Sequence, residues 1–264
     1  MIVTELSDAT RPEWDAYVKR SQYGLPQHLS AWREILRESY GYETHFLMTR
    51  ADTGPASGSV TGVMPLFLVD SVLTGRRAMT MPGGICAQDA QSAKALADKA
   101  EEVARNHGSK LVQIQDTRQR WLDDYTTVNG HVGWIVDVRD GEEALSTRLH
   151  RNIRRQVRKA QENGLRVETD RRGSLVGDFY AVLSRFTHQA GTPIFGQGFL
   201  ANVVRFLPNN FNIVMIYHEN DDGSGVTPIG GYFQLELAGT VYGAWGAALD
   251  EDLRLRPGDL AYGA

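Results

Sequence analysis

Two segments with the same order of patterns decide the fold: THFLMTRADTGPASGSVTGVMPLFLV (44–69) and FNIVMIYHENDDGSGVTPIGGYFQLEL (211–237). Each begins with an apolar strand-like run, continues through a Gly- and Ser-rich loop, and ends in a longer apolar run. An offset of 166 positions sets Val60 on Val226, and predicted helices precede both copies. The identities are few, so the pattern indicates a repeated topology of two consecutive α/β units.

The first unit is predicted to span residues 1–140. The Ala-rich segment 92–107 is predicted as a helix ended by Gly108, and KLVQIQD (110–116) and WIVDV (134–138) have the pattern of sheet strands. The other predicted elements are a strand at 2–6, helices at 11–20 and 26–40, and strands at 44–50, 60–70 and 76–82.

A basic segment, GEEALSTRLHRNIRRQVRKAQENG (141–164), opens the second unit, which is predicted to span residues 141–264. At about 100° per residue its apolar and cationic residues fall on opposite sides, which predicts one amphipathic helix. Acidic residues in the first turn, cations in later turns and Gly164 as a stop agree with the helix dipole. The apolar side holds Leu145, Leu149, Ile153, Val157 and Ala160; the cationic side holds Arg148, Arg151, Arg154, Arg155, Arg158 and Lys159.

The remainder of the second unit is predicted as a strand at 165–170, helices at 178–191 and 198–207, and three strand-like runs ending at Leu249. The first copy continues after its third strand with a helix and two further strands, whereas the second copy has no such counterparts. We therefore expect a C-terminally incomplete second unit, with an exposed sheet edge or apolar groove near 242–248. The alternative is a natural short form completed by a partner.

Composition places the chain among ordinary globular proteins, since it has 264 residues, 42% hydrophobic and 23% charged. No run approaches the roughly 18 apolar residues of a membrane span, and the N-terminus lacks signal-peptide features, so a cytoplasmic location is expected. The single Cys86 excludes an intrachain disulfide. Seven histidines without HExxH or paired spacing give no reason to predict a metal.

The six cations between Arg148 and Lys159 contrast with the rest of the chain. The formal net charge is -4, so the remaining residues carry -10. Such a contrast suggests an anionic partner, and the alternative is a solvated helix face.

Two α/β units joined by a basic helix resemble the Fem-type aminoacyltransferases, which are built from two domains of the acetyltransferase (GNAT) fold. RSQYGLPQHLSAW (20–32) is similar to the family's N-terminal segment, where a Ser-x-Tyr-Gly turn precedes a Gln and a Trp-bearing helix. GTPIFGQGFL (191–200) and TVYGAWGAALDEDLRLRPGDL (240–260) resemble a family loop and a family strand followed by a Pro-containing loop. The resemblance implies an α/β (α+β) fold with two tandem GNAT-like domains, whose mixed sheets are flanked by helices.

The family's activity, by implication, is transfer of an amino acid from aminoacyl-tRNA to an amine of a peptidoglycan precursor, without a metal or bound redox cofactor. An amine attacks an activated ester, so a proton must leave the nucleophile and the oxyanion must be stabilised. The cleft between the two units is the expected active site.

The resemblance also implies site residues. Asp116 falls where the family places an acidic residue facing the cleft, which suggests proton acceptance or positioning of the ammonium group; the alternative is a turn or cap aspartate. Arg33 lies near a family position that contacts substrate phosphate. Tyr242 and Trp245 alternate with glycines and offer two aromatic faces to a ligand, with core packing as the alternative. The phosphate-binding candidates on the basic helix are Arg151, Arg154, Arg155, Arg158 and Lys159.

Two departures bear on the substrates. GTPIFGQGF has no arginine where some family members hold a nucleotide-sugar diphosphate, which leaves a lipid-linked precursor, another polysaccharide amine or a related acyl acceptor. LRLRPGDLAYGA lacks the Arg/Gln-x-x-Gly-x-Gly/Ala turn that binds coenzyme A pyrophosphate, which argues against acetyl-coenzyme A but not against other thioesters. The alternatives are an acyl-CoA-dependent GNAT N-acyltransferase and a non-catalytic RNA- or polysaccharide-binding module.

Overall fold

The computed structural model describes residues 1–54, 57–73, 75–128, 130, 133–220, 223 and 225–262, without the side chain of Tyr262. The chain divides into two compact units, Met1–Gly133 and Trp134–Ala264. The predicted boundary after Asp140 lies a short way beyond this division. Parts of both predicted Gly/Ser loops lie outside the described residues.

The first unit is a sheet with helices on both sides. Its strands are ordered β1-β2-β3-β4-β6, with β5 paired to β3, and every pairing is antiparallel except the parallel pair β4–β6. The elements are β1 Ile2–Glu5, α1 Arg11–Arg20, a 3-10 turn Pro26–His28, α2 Trp32–Tyr40, β2 Glu43–Arg50, β3 Val60–Ser71, β4 Gly75–Thr80, β5 Cys86–Ala87, α3 Ala90–Asn106 and β6 Val112–Gln113.

Helix α3 covers one face of this sheet. It begins where the Asp89 carboxylate accepts a hydrogen bond from the Ser92 amide at 2.7 Å, an N-cap that satisfies a free helix donor. Its small apolar residues pack against Leu47 and Leu66 of the sheet, which fixes the end of α3 close to β2. The chain between Arg105 and Ser109 is thereby held beside the first residues of β2.

The second unit contains a four-stranded antiparallel sheet ordered β10-β9-β8-β7. Aromatic residues pack together on one face of the sheet. On the other face, an aliphatic cluster includes Ala160 and Leu260 from two helices. The elements are α4 Gly141–Arg148, α5 Arg151–Glu162, β7 Leu165–Asp170, α6 Val176–Gln189, α7 Gln197–Phe206, β8 Phe211–Glu219, β9 Val226–Leu237, β10 Thr240–Ala248, a 3-10 segment Asp250–Leu255 and α8 Pro257–Tyr262.

The predicted repeat of topology is present in the two sheets. Strands β1 to β4 and β7 to β10 follow the same order, and two helices separate the first and second strand of each set. The long strands β3 and β9 are both 12 residues long. The predicted class, α/β with sheets flanked by helices, is confirmed, although only the sheet of the first unit is mixed and that of the second is antiparallel.

The basic segment forms two helices rather than the predicted single one. Leu149 has an extended backbone (φ -65°, ψ 135°), which ends α4. His150 then caps α5, because its ring nitrogen accepts a hydrogen bond from the Asn152 amide at 3.3 Å. Arg148 therefore belongs to a different helix, where its guanidinium donates to the carbonyl of Asp137.

The predicted strand at 134–138 is wrong. These residues have no regular secondary structure, and Trp134 is 91% exposed. A strand must pair its backbone groups, and no strand among the described residues pairs with this segment. The predicted strand at 110–116 is likewise reduced to Val112–Gln113.

Strand β10 lies at the edge of the sheet of the second unit, paired to β9 alone among the described strands. A depression of about 370 Å³ adjoins it, lined in part by Gly246, Ala248 and Leu253. The open edge predicted near 242–248 is thus present. Across the described residues, no helix has the length and apolar character to cross a membrane.

Candidate functional site

Helix α5 presents an exposed cationic face, which we call the α5 cation row: Arg151, Arg154, Arg155, Arg158 and Lys159. All five side chains are exposed, and none forms an ion pair with any residue that the structure describes. The opposite side of the helix is anchored by Ala160, which is fully buried, and by the partly buried Val157. Burial of one side thus fixes a row of guanidinium groups in solvent, where each can bind a phosphate through two hydrogen bonds.

Asp116 of the first unit follows β6 and closes a turn. Its Oδ1 accepts a hydrogen bond from the Ile85 amide at 3.0 Å, and a side chain on Gly84 (φ +62°) would collide with that oxygen. Burial raises the pKa of Asp116 from 3.8 to about 6, although hydrogen bonds from the Ile85 and Trp121 backbones act in the opposite direction. The residue as a whole is nevertheless exposed to solvent. A carboxylate with these properties can accept a proton near neutral pH.

The surroundings of Asp116 include polar groups that sequence reasoning missed. The Trp121 indole donates to the Ile85 carbonyl at 3.0 Å and meets the Tyr23 ring edge-on at 5.0 Å. His28 is fully buried behind the Gly83 backbone. Only the Gln and Trp of QHLSAW entered the resemblance, so the histidine between them was overlooked.

His28 is neutral at physiological pH, since burial lowers its pKa to about 4. Its Nδ1 accepts a hydrogen bond from the Leu25 amide at 3.0 Å, so Nε2 carries the ring proton. Gly83 and Gly84 approach Nε2, yet no group among the described residues completes a hydrogen bond with it, and Oε1 of Gln27, the preceding residue in sequence, is also buried without a partner among them. These unsatisfied groups make the neighbourhood of Asp116 a candidate binding site.

Arg33 is engaged within its own unit. Its guanidinium donates to the Leu6 carbonyl at 3.2 Å and to the carboxylates of Glu34 and Asp8 at 2.9 Å and 2.5 Å. With the side chain only 16% exposed, this network leaves little of the guanidinium for a substrate phosphate. The placement does not favour the predicted phosphate contact.

Tyr242 and Trp245 lie on the same face of β10 because a β-bulge separates them. Tyr242 pairs with Leu235 and Trp245 with Phe233, and the register shifts between Gly243 and Trp245. Trp245 packs edge-on against the rings of Phe195, Phe199 and Phe233 at 5.4–5.6 Å. The geometry thus favours the core-packing interpretation for Trp245. The active site expected between the two units stays a prediction.

Comparisons with known proteins bear on the class of the chain. Residues 147–264 match the family model of the acetyltransferase (GNAT) domain. The fold is similar to the crystal structure of FemX, with a TM-score of 0.68 and 14% identity over 100% of this chain and 84% of that chain. It is also similar to the C-terminal domain of an Agrobacterium fabrum protein named as a lysylphosphatidylglycerol synthetase, with a TM-score of 0.50 and 10% identity over 97% and 73% of the two chains. No curated protein matches the sequence.

Residues 147–264 of the second unit therefore contain an acetyltransferase (GNAT) domain, and the chain is an acyltransferase by class. Over its whole length the chain has the FemX fold, which confirms the resemblance to the Fem-type proteins at the level of the fold.

Proposed function

We propose that this protein transfers an aminoacyl group, or another acyl group, to an amine of a peptidoglycan precursor or a related polysaccharide. The observation that carries the proposal is the α5 cation row, five exposed cations with no ion-pair partner among the described residues, in a chain that has the FemX fold. Folding does not require these charges to face solvent together, whereas binding of a phosphate-bearing substrate does.

Aminoacyl-tRNA is the donor that this row suits best. A row of several guanidinium groups along one helix matches successive phosphates of a nucleic acid, which supply affinity without sequence preference. Such a donor places the reaction in the cytoplasm and calls for no metal or bound redox cofactor. An acyl-CoA donor is the alternative, and it presents fewer phosphates to the same helix.

Asp116 is the proposed proton acceptor. The attacking amine is an ammonium ion near neutral pH and must lose a proton before its nitrogen forms a bond to the ester carbon. The bond from that carbon to the donor oxygen then breaks, and the oxygen leaves as the hydroxyl of the tRNA after it takes up a proton. A carboxylate with a pKa raised to about 6 is better matched to this task than an ordinary aspartate.

The decisive experiment is a donor and acceptor screen with the full chain. Charged tRNAs and acyl-CoA thioesters would be supplied with lipid-linked precursors, nucleotide-linked precursors and amine-bearing glycans, and products would be followed by mass spectrometry. Transfer from tRNA supports the proposal, and transfer from acyl-CoA alone favours the alternative donor. Binding of RNA or glycan without transfer from any donor would contradict the catalytic function.

Loss of two cations from the row is expected to weaken donor binding without harming the fold. In Arg154→Gln/Arg158→Gln, each lost phosphate contact should lower the slope of log affinity against log salt by somewhat under one unit, whatever the nucleotide sequence. Stability should change by no more than about 0.5 kcal/mol, as for other surface substitutions. The measurement is a salt titration of tRNA binding.

The matched control is Lys94→Gln/Arg105→Gln, which removes two exposed cations from α3 and changes the net charge by the same amount. The α3 variant should retain the wild-type slope. Equal slopes for all three proteins would show that the α5 cation row does not bind the phosphates of tRNA and is only a solvated helix face.

A further inference from the structure

We propose that Glu43, His45 and His107 form a binding site for a divalent transition metal of the Zn²⁺ class in the first unit. One carboxylate oxygen and one nitrogen from each ring lie within 4.8 Å of one another. We call this group the His-His-Glu cluster. None of its three residues is Asp116 or belongs to the α5 cation row, so the proposal does not rest on the proposed transfer reaction.

The fold brings these residues together through the pleat of β2 and the end of α3. Side chains alternate along a strand, so Glu43 and His45 share the face of β2 on which Leu47 packs against α3. His107 is the C-cap of α3 and therefore meets the start of β2. Because the positions are 43, 45 and 107, no spacing in the sequence reveals the cluster.

Hydrogen bonds at the far side of each ring fix which nitrogen is free. The Nδ1 atom of His107 lies 2.8 Å from the Val103 carbonyl, and the Nδ1 atom of His45 lies 3.0 Å from a Glu5 carboxylate oxygen. Carbonyl and ionised carboxylate oxygens only accept, so both Nδ1 atoms must donate. In the neutral rings, each Nε2 therefore carries a lone pair.

Both lone pairs face the same oxygen. Glu43 Oε1 lies 3.1 Å from His107 Nε2 and 3.4 Å from His45 Nε2. The second separation lacks the geometry of a hydrogen bond, and His45 Nε2 is buried with no partner among the described residues. Three acceptors that converge without a donor repel one another unless a cation lies between them.

The two separations from Glu43 suit a metal ion, and the two ring nitrogens lie within 4.8 Å of each other. Ligands at about 2.0–2.1 Å around a tetrahedral Zn²⁺ are roughly 3.3 Å apart, close to the two distances from Glu43. Two imidazoles and one carboxylate favour Zn²⁺ and similar ions over Mg²⁺ or Ca²⁺, and leave one position for water. The bonds from Nδ1 to Glu5 and to the Val103 carbonyl are the outer-shell contacts that orient metal-binding histidines.

The charges nearby also favour a cation. The C-terminal end of α3 carries the negative end of the helix dipole, and Glu5 and Glu43 add two carboxylates. Arg76 lies 3.8 Å from the other Glu43 oxygen, but its guanidinium forms two hydrogen bonds with Asp70 at 2.7 Å and 2.9 Å. The Asp70 carboxylate thus offsets the positive charge of Arg76.

The test is a Zn²⁺ titration of the untagged full chain after metal removal, in competition with a chromophoric chelator. We expect one equivalent to bind, and the Co²⁺ form to show the visible absorption of a tetrahedral site. His45→Gln, His107→Gln and Glu43→Gln should each weaken binding by more than about tenfold, since even an outer-shell loss costs about that much. Glu5→Gln should weaken it by about tenfold.

The matched control is His188→Gln, which removes an exposed histidine from α6 of the second unit and should leave the affinity unchanged. Circular dichroism in the presence of chelator checks that each variant folds. Glu43→Gln should disturb the fold least, because the Glu43 side chain is 46% exposed, so this variant still tests the site if a histidine variant fails to fold. The proposal fails if the wild-type chain binds less than one equivalent, or if the three ligand variants keep wild-type affinity. In that case, hydrogen bonds from protonated imidazoles to Glu43, and not a metal ion, would hold the cluster together.

Discussion

Asp116→Asn is expected to lower the rate of acyl transfer by about 10²- to 10⁴-fold, the usual contribution of a general base. The amide oxygen of asparagine can still accept the hydrogen bond from the Ile85 amide, so the turn is retained while proton acceptance is lost. The rate should be measured with the donor and acceptor found by the screen, over a range of pH. In the wild-type protein kcat/KM should rise through about pH 6, and the variant should lack this inflection.

The same substitution has a predicted effect on stability. Burial favours the protonated form of Asp116, so the folded chain holds this proton between pH 3.8 and about 6 while the unfolded chain releases it. This contribution to stability is full below the unfolded pKa and is lost as pH rises through about 6. Relative to wild type, Asp116→Asn should therefore be more stable at pH 7 than at pH 4, as checked by denaturant titration.

A suitable control is Asp123→Asn, because the side chain of Asp123 is 98% exposed and only seven residues away in the printed sequence. It should keep the wild-type rate and pH profile. Undiminished transfer by Asp116→Asn would leave Asp116 as a residue that only closes a turn.

Phe233→Ala is expected to destabilise the second unit by about 3–5 kcal/mol. Phe233 is fully buried, and its ring centroid lies 5.9 Å from Phe179, 5.7 Å from Phe211 and 5.4 Å from Trp245. Removal of the ring leaves a cavity in the centre of the aromatic face that these partners can fill only in part. Urea unfolding followed by circular dichroism measures the loss.

The control for this variant is Trp134→Ala, a truncation of an aromatic side chain that is 91% exposed. It should change stability by no more than about 0.5 kcal/mol. If Phe233→Ala unfolds at the wild-type urea concentration, the aromatic cluster does not hold the second unit together.

The repeated topology was predictable because strand patterns depend mainly on local residues. Apolar runs of fixed order around Val60 and Val226 gave both the two units and their strand order. The segment 134–138 has an equally apolar pattern and forms no strand, because a strand also needs a partner that local sequence does not supply. The break at Leu149 and His150 was missed for a similar reason: a histidine cap competes with a helical pattern that looks continuous.

The candidate site was predictable only where a residue acts within one element. The α5 cation row was visible as a helical periodicity, and its exposure follows from the burial of Ala160. The raised pKa of Asp116 depends on Gly84 and Ile85, about 30 positions away in the chain, and the engagement of Arg33 depends on Asp8. Contacts between distant segments decide such properties, and no single stretch contains them.

The duplicated strand order also has a consequence for how the chain folds. Two hairpins of equal layout in one chain can exchange strands during folding, a common fault of proteins with repeated units. The two hairpins differ in where an extra residue interrupts the ladder: pairing shifts between Thr49 and Arg50 in the first and between Ile216 and Tyr217 in the second. The extra residue lies on the long strand in both hairpins, Thr61 of β3 and Ile229 of β9, so β2 would meet it at a different point of the ladder in β9 than in β3. These irregularities therefore help each long strand to select its own neighbour.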